Sequence, residues 1–351
     1  MDDEINIFFS DCPAIPSFHV SALGNVKIKN SVSIYLTHAC NLRCKTCYLN
    51  AGEPLKNELS IKNYEKIFSE IKDLNFDMVY FLGGEPMLRK DILDIIKIAK
   101  GNDLYTSMSS NGFFIDSINA KSLKEAGLDQ IQISIDSPSE EINDNIRGQG
   151  SFGKAVKAIH NLKKVNMKVS IGFTITKNFY DVETMVNFAS QIGINVLNIS
   201  IAEPFGRAML YDIIPEKEKV KKAIEQIKNL KSVIKITYNG FRFYLDEKVF
   251  EKSLKFIPEN YRSCPAGINR FVIDSNGNVY GCELLMENEF FEGNVLEDDL
   301  KTIWEKGFRR FKERMPNECK SCKYLRSCQG GCPARSFISG SFNSKDPLCY
   351  L

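Results

Sequence analysis

Eleven cysteines are the residues of this 351-residue chain with the clearest capacity for chemistry. Cys40, Cys44 and Cys47 fall within eight residues of one another, and seven more lie between Cys264 and Cys349. The sequence between the two groups contains no cysteine, which is typical of an ordinary core-forming region. In a reducing compartment, clustered cysteines bind metal more often than they form disulfides. We therefore predict two metal-binding regions, with a disulfide framework as the alternative.

The first cysteine group has the spacing Cys-x3-Cys-x2-Cys and directly follows a predicted strand. Three thiolates in one loop can hold three corners of a [4Fe-4S] cluster and leave its fourth iron open to another ligand. A zinc site with His38 as its fourth ligand is the alternative from these residues alone. A motif that follows the next predicted strand favours the cluster.

That second motif is Gly83-Gly84-Glu85-Pro86, which taken alone would predict only a turn. Together with the cysteine spacing and the aromatic Tyr48, it resembles the signature of radical S-adenosylmethionine (SAM) enzymes. In that family the amino and carboxylate groups of SAM bind the open iron. The reduced cluster cleaves SAM to methionine and a 5′-deoxyadenosyl radical, which abstracts hydrogen from a substrate. The resemblance implies the same activity for this chain.

The resemblance also implies which residues contact SAM. Gly83 and Gly84 would let the backbone approach the methionine amino group, and Glu85 would offer that group a carboxylate. Further contacts with SAM are implied for residues beside these motifs and after the third and fourth predicted strands: Tyr48, Pro86, Ser109, Asn111, Ser134 and Asp136.

The C-terminal cysteines resemble a SPASM domain, which in this family typically holds two auxiliary iron-sulfur clusters. By the family pattern, Cys264, Cys282 and Cys332 would hold the first auxiliary cluster. The second would use the other four: Cys319, Cys322, Cys328 and Cys349. Seven thiolates cannot supply four ligands to each cluster, so the first would carry a non-cysteine ligand or an open iron.

Two alternatives stay open for this group. The run from Cys319 to Cys332 taken alone also suits a zinc ribbon. Cys12 could supply the missing ligand of the first auxiliary cluster, although a lone upstream cysteine is more often a small core residue.

The elements that must position these motifs follow a repeating βα pattern. Ser60 to Leu74 and Asp91 to Lys100 have apolar residues at helical spacing, and Ser60 is a candidate N-cap. Because each motif follows a strand, we expect a partly open (β/α)6 barrel with its chemistry at the carboxyl ends of the strands. Six strands are predicted: Val32 to Leu36, Met78 to Leu82, Leu104 to Met108, Gln130 to Ile135, Lys168 to Ile175 and Val196 to Ile201.

The predicted domain organisation is an α/β barrel followed by a cysteine-rich domain. Its four ranges are an extension at 1–31, the barrel at 32–215, a helical bridge at 216–260 and the SPASM domain at 261–351. Elements predicted in the last two ranges are a strand at Val233 to Thr237, a helix at Asp246 to Leu254, a hairpin turn at Asn276-Gly277 and a helix from Leu300 to Phe311.

Composition excludes some partners. The chain has 46 basic and 44 acidic residues, a net charge of +2, so no nucleic-acid partner is expected. No apolar run reaches the length of about 20 residues that spans a bilayer, and the acidic start is unlike a signal peptide, so we expect a cytoplasmic protein with no membrane partner. Radical SAM chemistry implies a low-potential electron donor, a flavodoxin or a ferredoxin.

The resemblance favours a peptide or protein as the substrate, because most SPASM-containing radical SAM enzymes modify peptides. Only 39 residues precede Cys40, too few for the leader-recognition domain of many peptide maturases, so a small molecule such as a haem precursor is the alternative. Candidate substrate contacts follow the fifth and sixth predicted strands: Thr174, Thr176, Glu203 and Arg207.

Two other interpretations remain open. Arg207 could bind a substrate carboxylate, or it could form a surface ion pair with Glu203. A non-catalytic electron-transfer or cluster-scaffold protein would carry the same cysteines, but it would have no need of Gly83 to Pro86.

Overall fold

A computed structural model describes residues 30–230, 234–238 and 264–349 of the chain. Cys12 and the predicted helix at Asp246 to Leu254 lie outside these ranges. No helix in the described ranges is long and apolar enough to cross a membrane.

One mixed sheet contains every strand that has pairing partners in the described residues. The first seven strands are parallel neighbours in chain order, and β8 pairs in parallel with β1 before continuing into an antiparallel β8-β9-β10 meander. The predicted open barrel is confirmed. The bounds are β1 Ser31–Tyr35, β2 Met78–Leu82, β3 Tyr105–Ser110, β4 Gln130–Ser134, β5 Lys168–Ile175, β6 Val196–Ile201, β7 Lys235–Tyr238, β8 Arg270–Ile273, β9 Asn278–Tyr280 and β10 Phe291–Asn294.

Helices follow the strands of the barrel and cover its outer face. Ser60 precedes α1 as predicted, and its backbone N–H donates to the side chain of Asn63 over 2.8 Å. The bounds are α1 Ile61–Asp73, α2 Ile92–Gly101, α3 Ser117–Glu125, α4 Glu140–Arg147, α5 Ser151–Lys164, α6 Val182–Gln191, α7 Lys217–Asn229, α8 Leu300–Lys306, α9 Arg309–Glu313, α10 Leu325–Cys328 and α11 Pro333–Ile338.

Two sequence predictions need correction. The single helix expected from Leu300 to Phe311 is two helices, α8 and α9, because the chain leaves the helix at Gly307 and Phe308 has a left-handed φ of 61°. The strand expected at Val233 to Thr237 is β7, which has the shifted bounds Lys235–Tyr238 and pairs in parallel with β6. The four domain ranges themselves stay predictions.

Alternation along the strands separates the core from the site. Ile131 and Ile133 of β4 pack into the apolar core beneath the helices, whereas Gln132 and Ser134 face the barrel interior. The same alternation holds in β6, where Leu197 and Ile199 enter the core and Asn198 lines the interior. The barrel therefore presents a polar inner surface that opens toward the carboxyl ends of its strands.

Candidate active site

A cavity of about 410 Å³ lies at the carboxyl ends of the parallel strands. Its walls include all three cysteines of the first group and three from the C-terminal domain: Cys40, Cys44, Cys47, Cys264, Cys282 and Cys332. The fold thus brings together two cysteine groups that are far apart in sequence. The other four C-terminal cysteines are not in the described cavity wall: Cys319, Cys322, Cys328 and Cys349.

Those four cysteines form a separate neighbourhood. Burial raises the pKa of Cys319, and the nearby Cys322 and Cys349 raise it further. Burial also raises the pKa of Cys328 to about 12, with Cys349 again contributing. This grouping agrees with the two sets that the family pattern implies, and the assignment of ligands to each cluster stays a prediction.

Arg207 holds the loop that carries the first cysteine group. Its Nε donates to the carbonyl of Cys44 over 3.0 Å, and one terminal nitrogen donates to the carbonyl of Ala51 over 2.8 Å and to Asn50 Oδ1 over 3.2 Å. Its backbone N–H donates to the carbonyl of Cys47 over 2.9 Å. Arg207 lines the cavity, but its guanidinium is buried and donates its hydrogen bonds to the cysteine loop. This arrangement favours a role in positioning the loop over the predicted binding of a substrate carboxylate.

An Arg207→Met variant is expected to reduce SAM cleavage about tenfold to hundredfold, because partners that orient ligands of a metal site typically have effects of this size. The loss should be accompanied by less iron in the first cluster, because two loop carbonyls and Asn50 lose their donors. Iron analysis and a 5′-deoxyadenosine assay on anaerobically prepared protein would measure both. Normal loading of the first cluster together with a raised KM for substrate alone would instead support a direct substrate contact.

Gly83 and Gly84 pack directly against the cysteine loop. The backbone N–H of Gly84 donates to the carbonyl of Thr37, and that of Glu85 to the carbonyl of Ala39, each over 2.8 Å. A Cβ on Gly84 would lie 2.2 Å from the carbonyl oxygen of Ala39. Only glycine allows this approach, which brings the two motifs together at the cavity.

Glu85 does not line the described cavity wall. Its carboxylate is fully buried and accepts hydrogen bonds from Ser110 Oγ and the backbone N–H of Asn111, each over 2.8 Å, and from the N–H of Met87 over 3.1 Å. Burial raises its pKa, while these donors stabilise the charged form. The geometry favours a role in fixing the end of β3, and a direct contact between Glu85 and SAM stays a prediction.

The other predicted SAM contacts separate into two groups. Tyr48, Ser109, Asn111 and Ser134 line the cavity, whereas Pro86 does not belong to its described wall. Tyr48 is also bonded to Tyr35 through the two hydroxyl groups, 2.6 Å apart.

Asp136 is not in the described cavity wall, and it is bonded to Arg147, a residue that sequence reasoning missed. The buried Asp136 carboxylate accepts from Arg147 over 2.8 Å and from the backbone N–H of Thr174 over 3.0 Å. Arg147 lines the cavity close to Cys40 and Cys44, and within the described ranges its buried Nε has no hydrogen-bond partner. A lone arginine at the end of a short helix gave no sequence signal for this position.

Glu203 joins the barrel to the C-terminal domain. Its carboxylate lies 2.6 Å from an Arg335 terminal nitrogen, and Arg335 also pairs with the buried Asp346. Burial raises the pKa of Glu203, and the Arg335 charge partly offsets that effect. The predicted pairing of Glu203 with Arg207 is replaced by this longer-range pair. Thr174 lines the cavity, whereas Thr176 is buried and donates to the carbonyl of Phe179.

The donor sets fit iron-sulfur clusters better than single ions. Among the described residues, no three histidine, cysteine or carboxylate side chains converge closely enough to hold one metal ion. An iron-sulfur cube is wider than an ion, so its thiolate ligands stand further apart. His38 is not in the described cavity wall that contains the first cysteine group, and its Nε2 lies 2.7 Å from Asp274 Oδ1. None of the ten cysteines in the described ranges is in a disulfide.

Comparison with known proteins identifies the family. Residues 34–192 match the model of the radical SAM superfamily, and residues 264–329 match that of SPASM, an iron-sulfur cluster-binding domain. An AdoMet-dependent heme synthase from Oleidesulfovibrio alaskensis is 30% identical over 334 residues, which cover 90% of this chain and 85% of that protein. The chain belongs to the radical SAM superfamily.

Other relatives extend this result. The mycofactocin maturase MftC of Mycobacterium tuberculosis is 31% identical over 323 residues, which cover 90% of this chain and 81% of that protein. The fold resembles Streptococcus suis SuiB bound to S-adenosylmethionine, with a TM-score of 0.76, 22% identity and coverage of 92% of this chain and 77% of SuiB. It also resembles anSMEcpe with bound AdoMet, with a TM-score of 0.67, 20% identity and coverage of 91% and 92%.

Membership settles the class of the protein and its cofactors. This radical SAM protein is an enzyme, and its cofactors are SAM, a SAM-binding [4Fe-4S] cluster and auxiliary iron-sulfur clusters in the SPASM domain. The zinc and non-catalytic alternatives are therefore set aside.

Proposed function

We propose that this radical SAM enzyme modifies a peptide or protein by abstracting a hydrogen atom from it inside the cavity. The observation that supports this proposal is that one cavity contains both the first cysteine group and three SPASM cysteines. A substrate in that cavity would lie between two cluster sites. The maturase relative, 31% identical to this chain, supports the peptide class.

The residues of the chain have distinct roles in this proposal. Cys40, Cys44 and Cys47 hold the first cluster, which together with SAM supplies the 5′-deoxyadenosyl radical when bound. The backbone at Gly83 and Gly84 shapes the wall near that cluster. Tyr48, Ser109, Asn111 and Ser134 are placed to contact SAM from the cavity wall.

Arg147 is our proposed partner for the carboxylate of SAM. It lies close to the first cysteine group, and its unpartnered Nε can donate to a bound anion. Asp136 orients the guanidinium from the side away from that donor. Glu203, at the end of β6, stays our proposed substrate-facing carboxylate.

We propose that Cys264, Cys282 and Cys332 hold the first auxiliary cluster and that the other four C-terminal cysteines hold the second: Cys319, Cys322, Cys328 and Cys349. The first set lies at the cavity, and it leaves one iron for a non-cysteine ligand or for substrate.

The arginines of the cavity wall are bonded to other protein groups, which supports a peptide rather than a polycarboxylate as the substrate. In the described part of the wall, the four arginines are each bonded to the protein: Arg147 to Asp136, Arg207 to loop carbonyls, Arg270 to Glu283 and Arg335 to Glu203 and Asp346. A haem precursor with several carboxylates would need further cations. The barrel interior carries neutral amide and hydroxyl groups from Gln132, Asn198 and Ser200, and a neutral polar wall suits a peptide backbone better than a polycarboxylate.

A haem precursor is the second candidate substrate, because a heme synthase relative is 30% identical over most of both chains. For either substrate we expect a flavodoxin or ferredoxin as the electron donor. We also propose a cytoplasmic location, because cysteines that ligate iron-sulfur clusters need a reducing compartment, in which disulfides do not form.

The test is to incubate the anaerobically reconstituted wild-type enzyme with SAM and dithionite and to measure 5′-deoxyadenosine. Peptides encoded beside the gene and iron-loaded tetrapyrrole carboxylates would be added separately. We expect a peptide to accelerate 5′-deoxyadenosine formation about tenfold or more and to change in mass, because productive binding aligns the reacting atoms. Acceleration by the tetrapyrrole alone would favour the second candidate, and intact SAM under every condition would contradict both.

A further inference from the structure

Arg270 lies directly beside the cysteines of the proposed first auxiliary cluster. Arg270 is the first residue of β8, which pairs antiparallel with β9. Val272 lies opposite Tyr280 and Ile273 opposite Val279. Continuing this register toward the start of β8 brings Arg270 opposite Cys282. The backbone N–H of Arg270 donates to the carbonyl of Pro265 over 3.0 Å, which brings it next to Cys264 as well. Arg270 and both cysteines line the cavity.

Glu283 neutralises only one end of the Arg270 guanidinium. A terminal nitrogen of Arg270 lies 3.0 Å from Glu283 Oε2, while Glu283 Oε1 accepts from Ser33 Oγ over 2.9 Å. Both charged side chains are largely buried, at 17% and 15% exposure. The Nε of Arg270 is buried and has no hydrogen-bond partner among the residues that the structure describes. Leaving a buried charged donor unpaired is costly, which points to an acceptor that joins the site when its cofactor binds.

Arg314 is a second arginine near these cysteines, but its Nε and both terminal nitrogens already donate hydrogen bonds. Its Nε donates to the carbonyl of Phe342 over 2.8 Å, and its terminal nitrogens donate to backbone carbonyls that include those of Gln329 and Ser344. Arg314 therefore ties the C-terminal segments together. The unpartnered Nε distinguishes Arg270.

We propose that the Arg270–Glu283 pair sets the reduction potential of the auxiliary cluster held by Cys264, Cys282 and Cys332, with Arg270 Nε donating to a sulfur of that site. One-electron reduction adds one negative charge to a cluster. A nearby cation and a hydrogen bond to sulfur stabilise the reduced form and raise the potential, whereas the Glu283 carboxylate lowers it. The inference rests on the proposed ligand set. Arg270 and Glu283 would act on the cluster from beside its ligands, with opposite effects on its reduction potential.

The test is a redox titration of the fully loaded enzyme monitored by electron paramagnetic resonance. Arg270→Met is expected to lower the equilibrium constant for reduction of one auxiliary cluster about tenfold, which is about 59 mV for a one-electron couple. Glu283→Gln is expected to raise the same constant by a similar factor. Arg270→Lys keeps the charge and loses the Nε–H donor, so its potential should fall between those of wild type and Arg270→Met.

Arg310 and Glu289 provide a matched control pair in the same domain, because they form an exposed ion pair with 52% and 47% exposure. Arg310→Met and Glu289→Gln should leave all potentials unchanged, since solvent screens their charges. Unchanged potentials in the Arg270 and Glu283 variants, or shifts of the same sign in both, would overturn the proposal.

Measuring iron content distinguishes a failure of this inference from a failure of the proposed function. Wild-type protein with too little iron for a cluster at Cys264, Cys282 and Cys332 would overturn the ligand set and the inference with it. A full complement of iron with no change in potential would overturn the inference alone. If Arg270→Met fails to bind the cluster, the signs of the shifts in Glu283→Gln and Arg270→Lys decide the outcome.

Discussion

Enzyme in which Cys40, Cys44 and Cys47 are all replaced by alanine is expected to form no 5′-deoxyadenosine from SAM. These three thiolates lie on one loop at the cavity wall. Without them the first cluster has no ligands, so SAM has neither a site nor an electron source. Chromatographic measurement of 5′-deoxyadenosine with dithionite as reductant would check the result. Iron should fall by about four atoms, from about twelve to about eight per chain.

Cys349→Ala is the matched control for this prediction. Cys349 belongs to the cysteine set outside the described cavity wall, so its loss should affect the second auxiliary cluster and leave SAM cleavage by the first cluster in place. Persistent 5′-deoxyadenosine formation in the triple variant would contradict the assignment of the first cluster. Equal loss of SAM cleavage in both variants would show that the effect comes from general damage to the fold.

The parts of the site predicted from sequence are those fixed by local spacing. Three cysteines within one loop, or two glycines in succession, constrain each other through a few backbone bonds. The strands were also predictable, because buried parallel strands are short apolar runs: β2 and β5 have the bounds that their residue patterns predict. Element order then placed every motif at the same edge of the sheet.

The charged pairs could not be predicted, because their partners are far apart in the chain. Arg335 and Glu203 are separated by 132 positions, and the hydrogen bond that Ser33 donates to Glu283 spans 250. Proximity in sequence suggested Arg207 as the partner of Glu203. The chain turns at Gly206, whose φ is 55°, and sends Arg207 into the cysteine loop instead. Such pairs depend on how the domains pack, which local residue patterns do not encode.

Glu85 shows a further limit of motif reasoning. A carboxylate beside two glycines suggested a contact with the SAM ammonium, yet its oxygens accept from Ser110, Asn111 and Met87. Buried carboxylates require donors, and the nearest ones here belong to the protein. The motif predicts a site at this edge of the sheet, and a direct contact of Glu85 with SAM stays a prediction that these tertiary contacts do not test.

A Gly84→Ala variant is expected to lose about a hundredfold or more of SAM-cleaving activity, because a displacement of about 1 Å in a catalytic site has effects of this size. The added Cβ would lie 2.2 Å from the carbonyl oxygen and 2.6 Å from the carbonyl carbon of Ala39, and 2.7 Å from the carbonyl oxygen of His38. These are backbone atoms of the cysteine loop, so they cannot rotate away as a flexible side chain would. The loop or the Gly83-Gly84 segment must shift.

Gly153→Ala is the control that isolates this steric effect. Gly153 is exposed on α5, and a Cβ there would meet nothing within 4 Å. Alanine at this helical position should stabilise the protein by about 0.5 kcal/mol and leave SAM cleavage unchanged. Activity assays, iron content and thermal melting of both variants would be compared. If the Gly84→Ala variant cleaved SAM at the wild-type rate, that result would contradict the close packing of the two motifs. A loss of activity with normal iron content would place the effect on SAM binding, because the cysteine loop would still hold its cluster while the Gly83-Gly84 wall had moved.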